Sequence, residues 1–156
     1  MQHLSSVHHV PEFIMAETVI TKEEIMAVFP TVQKTMADAL GCDVDDIKLD
    51  VSLIEGLDAE SIDFLDMVFR LERAFKIKVP RGKIIEDVRG DMPVEEFEQG
   101  GMLTEKGLAR LRVYLSEIDE SRFKTPMRVD HIARLYTPET FCKLVVRAQR
   151  ATPAAG

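Results

Sequence analysis

Residues 56–72 read GLDAESIDFLDMVFRLE and place one serine, Ser61, where a loop becomes a predicted helix. Apolar residues recur after this serine at the helical spacing of three and four positions. The apolar stripe, which we expect to face a core, consists of Ile62, Leu65, Val68, Phe69, Leu71 and Phe75. Asp63, Asp66 and Arg70 fall on another face. Because acids suit the positive end of a helix dipole, we expect the Ser61 oxygen to be exposed at the start of a helix whose apolar face is buried.

Composition limits the chain to a few classes of protein. Its 156 residues are 46% hydrophobic and contain no Trp, which predicts one domain with tails and an aliphatic, helical core. Cys42 and Cys142 are far apart, so neither a disulfide scaffold nor a structural zinc site is expected. Residues 1–9 lack the features of a signal peptide, and no apolar run is long enough to span a membrane. We therefore expect a cytoplasmic protein.

The net charge of −7 is concentrated in one part of the chain. Between Gly41 and Asp66 there are nine acids and one base, Lys48. Such a segment repels nucleic acid and anionic membrane and attracts basic surfaces of partner proteins. A plain solvated face has the same composition, but the position of Ser61 inside the segment favours a docking surface.

The two ends of the chain are predicted to be flexible. Residues 1–20 form a weakly structured extension, and translation starts at Met1 or at Met15. This extension contains His3, His8 and His9, but no acids lie near them, so we do not predict a metal site. Residues 151–156 are predicted to be a frayed tail.

Helix signals are clearest at the beginning and the end of the chain. Thr21 and Glu24 form a capping-box pattern that starts a first helix, which Gly41 ends. Pro30 lies inside this helix and is expected to kink it or to divide it near Phe29. A last helix is predicted after Thr137, which has a proline and an acid in the positions that follow.

The segments between these helices give weaker signals. Residues 42–55 are predicted to be an acidic loop whose apolar side chains point into the core. A central helix is predicted from Ser61 to Phe75, and Ile77 and Val79 are expected to anchor the segment after it in the core. Short helices are expected at 82–88 and 93–97, then a helix after Thr104, a loop at 116–128 and an extended or irregular segment at 129–136. The residues expected to point inward are Val44, Ile47, Leu49, Val51, Leu53, Ile54, Leu108, Leu111, Val113, Leu115, Ile118, Phe123, Met127, Phe141, Leu144, Val145 and Ala148. The fold class is therefore all-α.

Residue spacing alone leaves the role of Ser61 open. A serine hydrolase needs a G-x-S-x-G elbow, but Ala59 and Asp63 occupy the flanking positions. His131 is the one histidine outside the N-terminal extension, and it lies in a segment without a clear secondary-structure signal. Hydrolysis is therefore disfavoured. A plain N-cap serine is compatible with the spacing.

A resemblance to a known family adds to this interpretation. Residues 57–66, LDAESIDFLD, and residues 71–80, LERAFKIKVP, resemble the core of an acyl carrier protein. The resemblance extends more weakly to the first helix, the acidic loop and the last helix. It departs from the family's Asp-Ser-Leu at Glu60 and Ile62, which keep the charge and the apolar character and look like a specialised variant.

The resemblance implies a non-catalytic carrier. Ser61 is then the residue to which a phosphopantetheinyl transferase attaches 4′-phosphopantetheine, and the arm carries acyl groups as thioesters. Partners are acyl-loading, synthase and acyltransferase enzymes whose basic patches meet the docking acids Glu60, Asp63, Asp66 and Glu72. The implied fold is an up-and-down four-helix bundle, and the protein is expected to be a monomer.

The main departure from the family is an insertion at residues 89–136, before the last helix. We expect residues 21–150 to form one acyl-carrier domain in which this insertion packs on the bundle. The expected role is fatty-acid or related lipid synthesis. The alternatives are a polyketide-type carrier and a helical interaction module without phosphopantetheine. Phe64, Phe69 and Phe75 are candidates for the border of an acyl groove, although ordinary core packing is the favoured explanation for them.

Overall fold

The computed structural model describes residues 20–79 and 84–151, so the predicted N-terminal extension and almost all of the predicted tail lie outside the described residues. Helix α1 spans Lys22–Leu40, and its predicted capping box is confirmed. The Thr21 hydroxyl accepts from the Glu24 N–H at 3.1 Å, and the Glu24 carboxylate accepts from the Thr21 N–H at 3.0 Å. Gly41 ends α1 with a φ of 69°, in the left-handed region that favours glycine.

Helix α1 continues through Pro30, so the expected division of this helix near Phe29 does not occur. Proline removes one backbone donor, but Val28 and Val32 on either side of it are buried in the core. Packing of this apolar face therefore keeps the two halves in one helix.

The acidic segment after α1 is more ordered than predicted. It contains a 3-10 turn at Val44–Asp46 and a short helix, α2, at Leu53–Leu57. The Ser52 hydroxyl caps α2 by accepting from the Glu55 N–H at 3.1 Å. Ile47 and Leu53 are fully buried, as predicted, whereas Val44 is exposed and the prediction for it was wrong. Val44 lies in the 3-10 turn, at the surface.

Helix α3 spans Ser61–Phe75, as predicted, and packs on α1. The predicted apolar stripe was partly wrong, because Ile62, Leu65 and Phe69 are exposed. The face that packs on the rest of the molecule instead carries Phe64, Met67, Val68 and Leu71. Both sets have helical spacing, and the position of the neighbouring elements decides which set is covered. Ile77 and Val79 anchor the chain after α3, as predicted.

The insertion consists of short elements. Residues 80–83, where one predicted helix begins, lie outside the described residues. Helix α4, at Ile84–Arg89, precedes the insertion. The elements of the insertion are α5 at Val94–Phe97, strand β1 at Glu98–Gln99, strand β2 at Met102–Leu103, α6 at Glu105–Tyr114, and 3-10 segments at Glu120–Arg122 and Val129–Leu135. Strands β1 and β2 pair antiparallel, and α6 packs on α4 and α5. The 3-10 segment replaces the extended or irregular structure expected at 129–136, and Val113, expected to point inward, is exposed.

The insertion and the bundle share one hydrophobic core. Phe97, Leu111 and Ile132 from the insertion are buried in the same cluster as Met36 and Met67 from the bundle. The expectation that the insertion packs on the bundle is therefore confirmed. The described residues form a mostly helical fold with one hairpin, whose two strands have two residues each. This agrees with the predicted all-α, acyl-carrier-like class.

Helix α7 spans Pro138–Ala151 and is buried over most of its surface. Phe141 and Val145 point inward as predicted, but Lys143, Val146 and Arg147 are also buried. The insertion contacts two of these residues, since the Arg147 guanidinium donates to the Tyr114 carbonyl at 3.1 Å and Lys143 also bonds to the insertion. The Lys143 ammonium donates to Glu117 of the insertion at 2.8 Å. Within the residues described, no helix is both long and apolar enough to cross a membrane.

Candidate functional site

Ser61 is the first residue of α3 and is exposed. The N-cap position belongs to Glu60, so the plain N-cap interpretation of Ser61 was wrong. The Glu60 N–H donates to the Asp63 carboxylate at 2.7 Å, and the Asp63 N–H donates to the Glu60 carbonyl at 2.8 Å. The Ser61 hydroxyl makes no hydrogen bond to a described residue. The first turn is thus held by its neighbours, which leaves this hydroxyl free to react.

An apolar groove of about 580 Å³ opens beside Ser61. One wall is α3, with Ile62, Leu65 and Val68, and another comes from the 3-10 segment of the insertion, with Val129, Ile132 and Ala133. Ile84 and Ile85 of α4 contribute to the same lining. A serine with a free hydroxyl therefore lies at the edge of a groove that suits an aliphatic chain.

Three aromatic rings form the inner part of this groove. The centroid of Phe64 lies 5.4 Å from that of Tyr136 and 5.8 Å from that of Phe141. All three residues are buried and line the groove. Of the three phenylalanines considered as its border, Phe64 lines the groove, whereas Phe69 and Phe75 do not.

The exposed side of α3 combines apolar and acidic residues. Ile62 is 71% exposed, Phe69 is 55% exposed, and Leu65 lies between them along the same face. The Asp66 carboxylate accepts from Arg70 Nε at 2.8 Å, and both side chains are exposed. Surface pairs of this kind are weak, so Asp66 remains accessible to a basic partner.

The predicted docking acids therefore have different structural surroundings. Glu60 and Asp66 are exposed, while Asp63 is half-buried and holds the start of α3. Glu72 is half-buried, and its carboxylate accepts from the Val79 N–H at 2.8 Å, which fastens the chain leaving α3. Glu60 and Asp66 are thus the predicted docking acids that present charge at the surface near Ser61.

The other candidate reactive groups do not join Ser61. His131 lies 3.7 Å from the Asp130 carboxylate and makes no hydrogen bond to Ser61. Burial raises the pKa of the Cys142 thiol to about 12, so this thiol stays protonated. Among residues 20–79 and 84–151, no cluster of histidine, cysteine and acidic side chains is able to hold a metal ion. His3, His8 and His9 lie outside the described residues.

Comparisons with known proteins identify the family. Residues 30–88 match a family model described as a phosphopantetheine attachment site. An acyl carrier protein from Campylobacter lari is 36% identical over 55 residues, which cover 35% of this chain and 71% of that relative.

The chain belongs to the acyl carrier protein family. An acyl carrier protein from Clostridium acetobutylicum is 40% identical over 53 residues, covering 34% of this chain and 69% of the relative. The acyl carrier protein AcpXL of Brucella melitensis is 35% identical over 72 residues, covering 46% of this chain and 77% of the relative. No solved structure is significantly similar to the chain.

Family membership confirms the predicted class of function. Acyl carrier proteins are carriers rather than enzymes, and they bear phosphopantetheine. Their partners include a phosphopantetheinyl transferase and enzymes that handle acyl groups. What sequence reasoning missed is the wall of the groove from residues 129–136. These residues lie about seventy positions from Ser61, and nothing in their local pattern indicates that they meet α3.

Proposed function

We propose that Ser61 is the attachment residue for 4′-phosphopantetheine and that the protein carries acyl groups for fatty-acid or related lipid synthesis. The observation that supports the attachment residue is the free, exposed hydroxyl of Ser61 within the matched region and beside an apolar groove. The attached arm ends in a thiol that holds acyl groups as thioesters.

The surroundings of Ser61 fit a phosphodiester. Helix α3 has 15 residues, and its first N–H groups have no partners within the helix, so they form a natural anion site. The fixed position of Asp63 orders this turn before any modification takes place.

The lining of the groove favours a lipid-type acyl chain over a polyketide chain as the cargo. Its lining is mostly aliphatic and aromatic, which favours a hydrocarbon chain over a chain with many carbonyl or hydroxyl groups. The insertion supplies Val129, Ile132 and Ala133 to this lining. We propose that residues 21–150 act as one carrier domain in which the insertion contributes to acyl-chain specificity.

The exposed face of α3 supports a docking role. We propose that Glu60, Asp63 and Asp66 meet basic patches of partner enzymes while Ile62 and Phe69 enter apolar depressions there. Glu72 belongs to the proposed docking set as well, but its bond to the Val79 N–H leaves it less free to contribute. Charges of this kind act mainly on the rate of encounter.

Intact mass spectrometry after incubation with coenzyme A and a broad-range transferase tests the attachment residue. We expect the gain of one phosphopantetheine in the wild type and in Ser121→Ala, whose hydroxyl is exposed in the 3-10 segment at Glu120–Arg122. We expect no gain in Ser61→Ala. Failure of the wild type to gain this mass would instead favour an interaction module without the arm.

Charge reversal tests the docking surface. Asp66→Lys is expected to lower kcat/KM of the transferase about tenfold at low salt, because it replaces an attractive charge with a repulsive one. Asp63→Lys is expected to have a similar effect, but it also removes the bond to the Glu60 N–H, so its helix content is checked by circular dichroism. The control is Asp38→Lys, the same change of charge on exposed α1. Equal turnover of Asp66→Lys and Asp38→Lys contradicts the proposed surface.

A further inference from the structure

The groove beside Ser61 contains few polar groups. Its lining is apolar except for Ser61, Asp130 and Tyr136. Ser61 is the proposed attachment residue at the edge. The Asp130 carboxylate is exposed and is held by the Arg128 guanidinium through two bonds of 3.0 and 2.9 Å. Tyr136 is therefore the polar residue whose role in the groove is unexplained.

The Tyr136 ring is tightly packed, but its hydroxyl has no hydrogen-bond partner in the part of the chain that the structure describes. The residue is 5% exposed, and its ring packs on those of Phe64 and Phe141. Its backbone is fixed, since its N–H donates to the Ala133 carbonyl and its carbonyl accepts from the Leu53 N–H. The hydroxyl makes no hydrogen bond to a described residue. Burial raises the pKa of this phenol, so it remains a hydrogen-bond donor.

The Tyr136 hydroxyl is not one of the fully buried side-chain atoms that lack a partner, so it keeps contact with solvent although the rest of the residue is buried. The other tyrosine differs, since the Tyr114 hydroxyl donates to the Asp87 carboxylate at 2.6 Å. A phenylalanine at 136 would provide the same ring packing without a polar atom to desolvate. Tyr136 lines the groove, so its hydroxyl is available as a hydrogen-bond donor to a partner that enters there.

We propose that the Tyr136 hydroxyl hydrogen-bonds an oxygen of the tethered cargo inside this groove and thereby selects the cargo that binds there. The oxygen is either a carbonyl of the phosphopantetheine arm or an oxygen substituent on the acyl chain. The inference rests on the proposed function, because it requires an arm attached at Ser61. A plain hydrocarbon beside Tyr136 would displace water from the hydroxyl without replacing its hydrogen bond. A cargo oxygen at this position would instead accept a hydrogen bond from the hydroxyl.

Thermal unfolding of loaded proteins tests this proposal. Ser61 is loaded with the arm alone, with octanoyl or with 3-hydroxyoctanoyl, in the wild type and in Tyr136→Phe. Intact mass first verifies that all forms are loaded, so a failure of attachment is seen separately from a failure of this inference. Tyr136→Phe keeps the ring contacts with Phe64 and Phe141 and is expected to fold.

The two sources of the oxygen predict different patterns. If the acyl substituent is the partner, 3-hydroxyoctanoyl raises the Tm of the wild type by about 2–4 °C more than octanoyl does, and the difference disappears in Tyr136→Phe. If an arm carbonyl is the partner, all three loaded forms lose a similar amount of stabilisation in Tyr136→Phe. Either pattern supports the proposal.

Two results would overturn the proposal. One is an equal Tm increase on loading in the wild type and in Tyr136→Phe for all three cargoes. The other concerns Ala133→Phe, which places a large side chain in the wall opposite α3 and is expected to reduce the stabilisation by both acyl groups. If this variant leaves that stabilisation unchanged, the cargo does not enter the groove.

Discussion

The pair formed by Lys143 of α7 and Glu117 of the insertion is expected to hold these two parts of the molecule together. The ammonium lies 2.8 Å from Glu117 Oε1 and also donates to the Ser116 hydroxyl at 2.8 Å. Glu117 Oε2 accepts from the Thr140 hydroxyl at 2.6 Å. The side chains of Lys143 and Glu117 are only 6% and 2% exposed. Each polar atom of the pair is thus satisfied away from water.

Replacing Lys143 by Met leaves a buried carboxylate without its countercharge. Removal of one partner of a buried pair costs about 3–5 kcal/mol, which corresponds to a decrease in Tm of roughly 10 °C for a chain of this size. The matched control is Lys106→Met, because Lys106 pairs with Glu96 at 3.4 Å on the surface, where both side chains are largely exposed. That control is expected to cost less than about 1 kcal/mol.

Urea unfolding monitored by circular dichroism measures both variants, and amide hydrogen exchange locates the effect. We expect Lys143→Met to increase exchange in α6, between Leu108 and Tyr114, more than in α1. The double variant Lys143→Met with Glu117→Leu is expected to recover most of the lost stability, since it removes the unpaired charge. Equal costs for Lys143→Met and Lys106→Met would refute this reasoning, as would an α6 without exchange protection in the wild type.

Two further predictions concern the contact of α6 with Phe97 and the ion pair between α1 and α7. Gly107→Ala is expected to destabilise by about 1–3 kcal/mol in urea unfolding, because its methyl group would overlap the Phe97 carbonyl oxygen. The Thr21 N–H and the Arg150 guanidinium lower the pKa of Glu24. The stability that these two interactions add to the folded state is therefore complete above the usual pKa of about 4.5, and it is lost as the pH falls through the lowered pKa. Arg150→Ala should raise this pKa in an NMR titration, and an unchanged value would contradict the role of Arg150.

Sequence determined those features that depend on bonds between near neighbours. The capping box of Thr21 and Glu24 and the cap at Thr104 were predicted correctly, because the atoms involved lie within three residues of each other. The end of α1 at Gly41 was also predictable, because glycine adopts the left-handed conformation at a helix end without steric cost. The resemblance around Ser61 was sufficient to predict the family, the all-α class and the arm.

Only the tertiary structure decided which apolar residues face the core. Helix α3 carries two apolar sets at helical spacing, and the stripe predicted from periodicity included residues of both. Contacts with other elements cover Phe64 and Met67 and leave Ile62 and Phe69 at the surface. Division of α1 at Pro30, one of the two expected outcomes, does not occur for a related reason, because burial on both sides of Pro30 keeps the helix continuous.

The groove shows the same division between local and long-range information. Ser61 was found from its immediate neighbours in the sequence. Tyr136 lies 75 positions further along the chain, and it meets Phe64 only because the insertion folds back onto α3 and α7. Sequence therefore determined where an acyl arm is expected to attach, and long-range packing of residues 129–136 decided the shape and the polarity of the groove beside it.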